Sequence, residues 1–562
     1  MLLFCKQLVN GVRALFASVS GKLYLACLTA SWLSMALSTL FSSNPMLSVA
    51  GSSWRRDGLI AESAILLFGF LAAAWFVEDR RRIQTVLRAS VVTGLAASVY
   101  GIAQYFGWDP FLPSKAYQSG EGIFTIVRPP ATFGHADYFA NWLVMVAFFA
   151  LALRGLETDR RWRATASIAT ILALFAIVLS GTRSALLGVF AGALVFVFIA
   201  RPRLDRKVLL TIGAAVACMG LLYISPAGLK LRARVHWSLD DVRGGARLLI
   251  WRDSLHMAMR RPLLGYGLET FTAQFPPFES VALSQAYPDF YQESPHNMFL
   301  DALTSQGLPG ALFLLALCVL GLWAARTNAA LAAALAAAIV CQQFMVLTIP
   351  TALYFYLLLA MLIARTVPRL IESRPFPIAL VPVATAIAIV FIAFGVRILV
   401  ADLAMALAEH RIDSGDLAGA TAAYRTAQRW EPAASGNDLR YSRAMTRLAS
   451  GTPIFATSVA AATQAVESAI RAPETTEDRQ NAWYNLATIA ALRNDQGGVE
   501  NALRRAIECA PNWFKPHWTL SQFLELTGRH AEARKEAALA LELDGGRDPE
   551  VAATSQKILS RP

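Results

Sequence analysis

Residues 291–310 read YQESPHNMFLDALTSQGLPG, and they mark the point where a long polar segment ends and a hydrophobic span begins. The polar segment covers residues 226–297 and contains GGARLLIWRDSLHMAMRRPLLGYG at 244–267. His296 and Asn297 stand at the entrance to the span. Ionisable side chains at a membrane boundary are costly and usually serve transport or catalysis. We therefore expect the functional residues to gather around this 226–297 loop.

The composition is that of a membrane protein with a soluble extension. Of the 562 residues 56% are hydrophobic, and the mean hydropathy is +0.45, which excludes an ordinary soluble protein. Because a helix needs about 20 apolar residues to cross a bilayer, eleven apolar runs predict spans. They are 23–41, 59–77, 84–106, 137–153, 165–181, 184–200, 208–225, 298–323, 328–347, 351–364 and 376–400. Amphipathic patterns follow, so we predict a membrane domain over residues 1–400 and a soluble domain over 401–562.

Lys and Arg residues in the short loops predict the orientation of these spans. Alternate loops carry 15 positive residues on one side of the membrane and five on the other. The N-terminal segment joins the positive side, so we predict a cytoplasmic N-terminus. The 226–297 loop and the C-terminal domain then face outward. Much of the net charge of +12 is explained by this topology, and no nucleic-acid partner is needed to account for it.

The soluble domain contains a repeat with a period of 34 residues. AWYNLATIAALRNDQGGVENALRRAIECAPN at 482–512 aligns with PHWTLSQFLELTGRHAEARKEAALALELDGG at 516–546. This period, with small residues where two helices cross, resembles the tetratricopeptide repeat. We predict three to four helical hairpins stacked as a short α-solenoid, with an unrelated helical bundle as the alternative. Such solenoids bind partners and rarely catalyse, so the domain is expected to recruit or position a protein partner.

The first candidate site residue is Arg183, in LSGTRSALLG at 179–188. It lies between two spans joined by almost no loop, at the outward face and against the charge bias. One interpretation is an arginine that snorkels from a helix end. The other is a phosphate-binding residue, because a guanidinium grips phosphate oxygens with two parallel hydrogen bonds. A lipid-linked phosphate at the membrane surface would suit this position.

The second candidate, Arg247, opens an amphipathic helix in the 226–297 loop. Trp251 and Leu255 belong to an apolar stripe that also includes Leu248, Ala258 and Met259, whereas Arg252, Asp253, His256 and Arg260 lie towards the other face. This pattern is typical of a helix lying in the membrane interface. Arg247 falls on the Trp251 side, so it would point towards the membrane domain. Alternatively it only caps the helix. His256 is interpreted as a solvated histidine.

The third candidate is His296, which precedes the eighth predicted span. A neutral imidazole there can take a proton from a hydroxyl group, although a lone interfacial histidine is more often structural. His135, in RPPATFGHADYFANWL at 128–143, is a second histidine at the outward face and is expected to shape the pocket. We expect Arg128, His135, Trp251 and Asn297 to contact the substrate.

Taken together, these motifs resemble the bacterial O-antigen ligase and Wzy-type polymerase superfamily over roughly residues 60–365. The resemblance is carried by TRS at 182–184, R-x-x-x-W at 247–251, PLLGYG at 262–267, HN-x-F-L at 296–300 and GLPG at 307–310. The chain departs from the family pattern in two places. Family members often carry Asn-Pro-Asn where His135, Ala136 and Asp137 stand, and many have a histidine where Ser294 stands.

The resemblance implies an all-α, polytopic membrane glycosyltransferase of the C class, in the bacterial inner membrane, acting in polysaccharide or lipopolysaccharide biosynthesis. It would transfer a glycan from undecaprenyl diphosphate to a hydroxyl group at the periplasmic face, with inversion and without cofactor or metal. The loop offers one adjacent acidic pair, Asp240 and Asp241, and no cluster with metal-ligand spacing. Arg183 and Arg247 would then neutralise the leaving diphosphate while His296 deprotonates the acceptor.

The acceptor stays open at this stage. Lipid A-core, a growing glycan and a protein side chain all present a hydroxyl group to such a site. The soluble domain favours a polymerase or a protein oligosaccharyltransferase slightly over a ligase. A transporter or flippase of lipid-linked sugars is the alternative from another class. It predicts inverted repeats and broken helices in both halves, a symmetry the sequence does not display. A purely structural scaffold would leave the two arginines and His296 unexplained.

Overall fold

The computed structural model describes residues 5–119, 125–201, 206–240, 245–289, 291–369, 380–432 and 435–561. Asp241, in the acidic pair noted above, lies outside the described residues, as do the first residues of the last predicted span. Helices dominate the described chain, and one short antiparallel hairpin pairs β1 (Gln118–Ser119) with β2 (Ile126–Val127). The prediction of an all-α polytopic membrane protein is confirmed.

The helices before the large loop follow the predicted spans closely. They are α1 (Cys5–Ala17), α2 (Val19–Leu40), α3 (Pro45–Ala50), α4 (Leu59–Glu78), α5 (Arg81–Tyr105), α6 (Ala136–Leu156), α7 (Arg160–Ser180), α8 (Arg183–Ala200) and α9 (Arg206–Ile224). The sequence did not predict α1 or α3. Helix α1 packs on α2 and α4 instead of crossing the membrane separately, and its 13 residues are too few for a span.

The loop and the second group of membrane helices follow. The 226–297 loop contains α10 (Leu229–Asp240), α11 (Arg247–Arg260), α12 (Phe271–Gln274) and α13 (Val281–Ala286). The membrane helices are α14 (Met298–Ala324), α15 (Ala329–Cys341), α16 (Ile349–Thr366) and α17 (Leu380–Asp413). Helix α17 runs without a break past residue 400, where the sequence placed the domain boundary.

Nine helices in the described part of the chain are long and apolar enough to cross a membrane. They are α2, α4 to α8, α14, α16 and α17. Eleven spans were predicted. The seventh predicted span is a helix, α9, but it is not among these nine. The ninth, residues 328–347, forms only the 13-residue helix α15, which ends at Cys341. The chain after Cys341 therefore turns back inside the predicted span, close to the start of α14.

Helix α6 is the centre of the membrane bundle. Fifteen of its 21 residues are buried, and it packs against α5, α7, α8, α15 and α16. Because α6 has neighbours on several sides, its apolar residues form a continuous core and show no amphipathic stripe. The second half of the bundle groups α14 with α2 and α16, and α4 with α1 and α16.

Helix α14 is interrupted in its first third, where the TSQGLPG sequence departs from helical geometry. Gly307 has φ 72° and ψ −167°, a conformation that essentially only glycine adopts. The carbonyl oxygens of Thr304 and Ser305, which the break exposes, accept hydrogen bonds from Tyr266 N and Gly267 N at 2.9 Å each. The PLLGYG segment of the loop is therefore fastened to the broken turn, and two motifs distant in sequence form one structural unit.

The tail, residues 414–561, consists of helices that pack in consecutive pairs. They are α18 (Leu417–Trp430), α19 (Asn437–Gly451), α20 (Phe455–Thr475), α21 (Arg479–Leu492), α22 (Gln496–Cys509), α23 (Phe514–Leu526), α24 (His530–Asp544) and α25 (Pro549–Leu559). The contacts α19 with α20, α21 with α22 and α23 with α24 are extensive. These pairs agree with the predicted helical hairpins, and the tetratricopeptide assignment stays a prediction.

The tail lies against the 226–297 loop. Asn512 Nδ2 donates to the Glu279 carbonyl, Gln285 Nε2 donates to the Glu542 carbonyl at 2.8 Å, and Lys515 Nζ lies 2.6 Å from Asp289 Oδ2. The hydroxyl of Ser53, between α3 and α4, donates to Glu477 at 3.1 Å. Loop and tail therefore pack against each other at one end of the bundle, and the orientation of this end in the membrane stays a prediction.

Candidate active site

A cavity of about 460 Å³ lies on the loop side of the bundle, where α6, α8, α10 and α11 meet the start of α14. We call it the arginine cavity. Its described lining includes five predicted site residues: Arg128, Arg183, Arg247, Trp251 and His296. Residues far apart in sequence thus converge on one space, as the motif order suggested. His135 and Asn297, also predicted, are not part of the lining.

The turn between α7 and α8 positions Arg183. Gly181 has φ 64°, and a Cβ atom there would lie 2.6 Å from Cγ of Arg234. Glycine is therefore required both by the left-handed backbone and by this close approach. Arg234 Nε donates to the Gly181 carbonyl at 3.1 Å. The turn is thereby fixed to α10, and Arg183 begins α8 at the rim of the cavity.

Trp237 joins two of the arginines. The guanidinium carbon of Arg234 lies 4.2 Å from the centre of the Trp237 ring, and that of Arg183 lies 5.4 Å from it. Cation–π contacts at these distances hold guanidinium groups in place. The N–H groups, which lie in the plane of each guanidinium group, can still donate hydrogen bonds. Arg234 is itself buried. The sequence analysis did not single out Arg234 or Trp237, which lie on α10 three residues apart.

Asp137 connects Arg128 to the turn that precedes α8. Its carboxylate forms an ion pair with Arg128 and accepts a hydrogen bond from Thr182 Oγ1 at 2.8 Å. His135 caps α6, and its Nδ1 accepts from the Asp137 backbone N–H at 3.2 Å. The departure from the family pattern at residues 135–137 therefore supplies a helix cap and a carboxylate that fixes Arg128. His135 is half exposed beside this pair.

Helix α11 presents Arg247 and Trp251 to the cavity from successive turns. The apolar face of α11 is exposed at Leu248, Leu255 and Met259, as expected of a helix in the membrane interface. His256 is also exposed, as predicted. Asp253 is a correction, because the pattern placed it on the polar face and it is buried. Its carboxylate accepts from Arg252 Nε at 2.9 Å and from the Ser280 backbone N–H at 3.0 Å. One carboxylate therefore connects α11 to the start of α13.

His296 lies in a tight turn immediately before α14. Its φ of 51° is unusual for a residue with a side chain and stores local strain. Trp251 Nε1 donates to the Pro295 carbonyl at 3.1 Å, and the His296 backbone N–H donates to Ser294 Oγ at 3.2 Å. Ser294 Oγ also lies 3.5 Å from His296 Nδ1. A buried serine thus orients the imidazole at the position where many family members carry a histidine.

The surroundings keep the His296 imidazole neutral. Burial lowers the pKa of His296 to about 4, and the positive charges of Arg247 and Arg55 act in the same direction. Asn297, the next residue, caps α14: its Oδ1 accepts from Phe299 N and Leu300 N, while its Nδ2 donates to the Gln343 carbonyl. The described contacts of Asn297 are thus structural, and its role as a substrate contact stays a prediction.

The lining of the arginine cavity combines positive charge with apolar surface. Among the described lining residues four are arginines and one, Asp137, is a carboxylate. Two apolar lining residues, Leu187 on α8 and Leu248 on α11, are 48% and 58% exposed. Tyr287 and Gln292 line this cavity and also a second cavity that includes tail residues.

This arrangement can bind an anion and accept a proton in one space. Guanidinium groups around a cavity stabilise phosphate oxygens, and a neutral imidazole accepts a proton from a hydroxyl group. The described residues contain no group of three or more His, Cys, Asp or Glu side chains placed to hold a metal ion. Arg234, Trp237, Asp137 and Gln292 were missed because their roles depend on contacts between distant segments, although Arg-x-x-Trp on α10 was a readable signal.

The sequence of this region is similar to one protein family and to one curated protein. Residues 168–315 match the profile of the O-antigen ligase family, and this segment contains Arg183, Arg247 and His296. A curated relative, the teichuronic acid biosynthesis protein TuaE of Bacillus subtilis (strain 168), is 23% identical over 167 residues. The alignment covers 30% of this chain and 34% of that protein, about a third of the relative's length. The predicted resemblance to the O-antigen ligase family is thus confirmed for residues 168–315 of this multi-pass membrane protein.

Proposed function

We propose that the chain is a membrane glycosyltransferase that moves a glycan from a polyprenyl-diphosphate carrier to an acceptor hydroxyl group on the loop side of the membrane. One observation carries the proposal: a single cavity is lined by four arginines, a neutral histidine and two exposed apolar side chains, Leu187 and Leu248. The negative charge of a diphosphate suits the arginines, and the lipid tail that carries it suits the apolar side chains. The hydroxyl group of an acceptor is the partner for the histidine.

The arginines act on the donor. The lipid tail enters past Leu187 and Leu248, and the diphosphate lies between Arg183, Arg234 and Arg247. These guanidinium groups bind it and stabilise the charge that develops as it leaves. Arg128 is held by Asp137 and borders the same space, so it contributes positive potential at the edge. The role of Arg234 was not foreseen from the sequence.

His296 acts on the acceptor. The acceptor oxygen attacks the anomeric carbon and forms the new glycosidic bond, while the bond between that carbon and the diphosphate oxygen breaks. The hydroxyl proton passes to the His296 imidazole, and polyprenyl diphosphate leaves with the bonding electrons. Attack from the face opposite the leaving group inverts the anomeric centre. Charge on the diphosphate is balanced by arginines, so we propose that the step needs neither a metal nor another cofactor.

The biological setting follows from the same proposal. We place the chain in a bacterial inner membrane with the arginine cavity and the tail at the periplasmic face, and with undecaprenyl diphosphate as the carrier. The acceptor is lipid A-core, a growing glycan or a protein hydroxyl group. The tail, by its paired helices and its contacts with the loop, is suited to hold a partner or an acceptor near the cavity.

The test compares carrier-linked glycans in cells that produce the wild-type chain, His296→Ala or His256→Ala. His256 is the matched control, because it is an exposed histidine on α11 with no place in the cavity. We expect His296→Ala to accumulate the carrier-linked glycan and lose the transferred product, with transfer lowered about 100-fold or more. His256→Ala should behave as wild type. Quantitative mass spectrometry of lipid extracts measures both, and normal product in the His296→Ala strain would contradict the proposed base.

A further inference from the structure

A second cavity, of about 220 Å³, lies between the 226–297 loop and the tail. We call it the tail cleft. The loop contributes Tyr287, Tyr291 and Gln292 to it, and the tail contributes Gln480, Asn481 and Trp513. Its walls are held together by contacts between the two segments. Ser284 Oγ donates to the Asn512 carbonyl, and Trp513 Nε1 donates to Asp289 Oδ1 at 3.4 Å.

The tail cleft adjoins the arginine cavity. Tyr287 and Gln292 line both spaces, so the two cavities meet at these residues. A molecule that extends from the arginine cavity into the tail cleft would contact both of them. The tail cleft is the space in which the rest of such a molecule would lie.

Gln292 places an unpartnered, buried polar group at this junction. Its side chain is only 4% exposed, and its Nε2 has no hydrogen-bond partner among the described residues. A buried amide N–H group without a partner is energetically unfavourable. Native structures keep such groups chiefly where a ligand or water completes them. A hydrogen-bond acceptor placed between the two cavities would satisfy Gln292.

The lining of the tail cleft differs in charge from that of the arginine cavity. Lys515 is paired with Asp289, and burial raises the pKa of Glu279 to about 8, so that this side chain is mostly uncharged at pH 7. The lining also includes one arginine, Arg443, which donates to Asn481 Oδ1 at 3.3 Å, and one more carboxyl group, Asp478, whose pKa is raised by burial. The other polar lining groups are mainly amides, and they lie beside aromatic rings. Amides both donate and accept hydrogen bonds, and aromatic rings pack on apolar faces. This combination suits an uncharged polyhydroxyl molecule better than a phosphate.

We infer that the tail cleft is a glycan-binding subsite that holds the sugar units next to the one reacting in the arginine cavity. The identity of the reacting unit rests on the proposed function, whereas the binding of sugar does not. The volume is below the range of about 300–1,000 Å³ typical of ligand pockets, so one or two sugar units fill it. Both the carrier-linked donor and a glycan acceptor contain such sugar units.

The first experiment measures binding without transfer. The probe is the oligosaccharide released by mild acid from the carrier lipid of producing cells, added to the purified full-length chain in detergent micelles. We expect Tyr291→Ala and Gln292→Ala to weaken binding about tenfold, Tyr291→Phe to retain it, and Trp430→Ala to match wild type. Trp430 is a surface aromatic of the tail outside the cleft. Equal thermal midpoints verify that the variants fold.

The second experiment compares KM values in a transfer assay with the same variants. A raised KM for the acceptor places the acceptor glycan in the cleft, and a raised KM for the donor places the donor glycan there. A chain that binds the oligosaccharide through Tyr291 but never transfers it would disprove the proposed function and keep the subsite. Three results would overturn the subsite: no binding by wild type at millimolar concentrations, equal binding by all variants, or Tyr291-dependent binding of a Ser/Thr-rich peptide alone.

Discussion

His296 combines strain, a fixed orientation and a low pKa in one residue. Its backbone is held in the left-handed region by Ser294 on one side and by the Trp251 contact with Pro295 on the other. Burial and two arginines lower the pKa of its imidazole to about 4. Such strain persists only where surrounding contacts hold it, and it concentrates at functional sites. The proposed base is therefore already neutral when substrate arrives.

The pH dependence of transfer follows directly from that pKa. Since the neutral imidazole is the active form, kcat/KM should stay level from pH 7.5 to pH 5.5 and fall as the pH approaches 4. With an ordinary histidine pKa of about 6.5, only about a tenth of the base would be neutral at pH 5.5. A pH profile of kcat/KM on the wild-type chain measures this. A kcat/KM that falls to half its maximum near pH 6.5 would contradict a buried, neutral histidine.

The arginines are expected to act through their shape as well as their charge. Arg183→Lys and Arg247→Lys keep the positive charge but lose the paired N–H groups that bind phosphate oxygens. We expect each to lower kcat/KM about ten- to a hundredfold, while Arg260→Lys, an exposed position on α11, leaves it unchanged. Addition of a chelator should have no effect. Full activity of both cavity variants, or inhibition by the chelator that an added divalent ion reverses, would argue against the mechanism.

The site residues that could be predicted from the sequence are those whose type is unusual for their position. Arg183 stands at a short turn against the charge bias, and His296 stands at a membrane boundary, so both drew attention before any contact was known. Gln292 and Asp137 are ordinary residues in polar segments. Their roles arise from what distant segments bring to them, such as Thr182 for Asp137, and no local pattern records that.

The fold was predictable where helices are long and apolar, and it was not where a segment is too short to cross a membrane. Helices α4, α6 and α16 follow predicted spans within a few residues. Helix α15 does not, because the apolar run at 328–347 fills only 13 residues of helix before the chain turns back at Cys341. The turn brings Phe344 beside Trp251, with ring centres 5.9 Å apart, and thus gives the arginine cavity a wall.

The break in α14 is expected to be essential for folding. A Cβ atom at Gly307 would lie 2.6 Å from the Pro262 carbonyl oxygen, in a backbone conformation that costs other residues about 1–3 kcal/mol. We therefore expect Gly307→Ala to lower the free energy of unfolding by about 3 kcal/mol or more. Gly220→Ala is the control, because nothing lies within 4 Å of that position in helix α9. Thermal unfolding in detergent compares them, and equal midpoints would exclude this role for the break.

The bundle and the tail have separate hydrophobic cores joined by polar contacts. The large membrane core contains buried residues between Ala14 and Val367, whereas the main cores of the tail draw on residues from Ala404 onward.

Because α17 continues to Asp413, a truncation after residue 400 would cut a helix, so Gly415 is the better end point. We expect a chain ending there to insert and to transfer glycan to a small acceptor, but with a raised KM for its natural one. Loss of insertion would show that the bundle needs the tail.

The sidedness of the molecule can be tested with cysteine labelling. Asp495 caps α22, so a cysteine is better placed at Leu526, which is 88% exposed on the tail. In a Cys509→Ser background, Leu526→Cys should react with an impermeant thiol reagent in intact spheroplasts. Thr158→Cys, between α6 and α7, should react only after lysis. The opposite pattern would invert the predicted orientation and place the arginine cavity on the cytoplasmic side.

The most direct test of the central claim is transfer by the purified full-length chain in proteoliposomes. The donor is the polyprenyl-diphosphate-linked oligosaccharide extracted from producing cells, and the acceptor is the cells' own glycan, lipid A-core or acceptor protein in separate reactions. We predict that product and free polyprenyl diphosphate appear in equal amounts with wild type and His256→Ala, and that His296→Ala yields neither. Movement of the intact donor across the bilayer without cleavage of its diphosphate bond would contradict the account and identify a transporter.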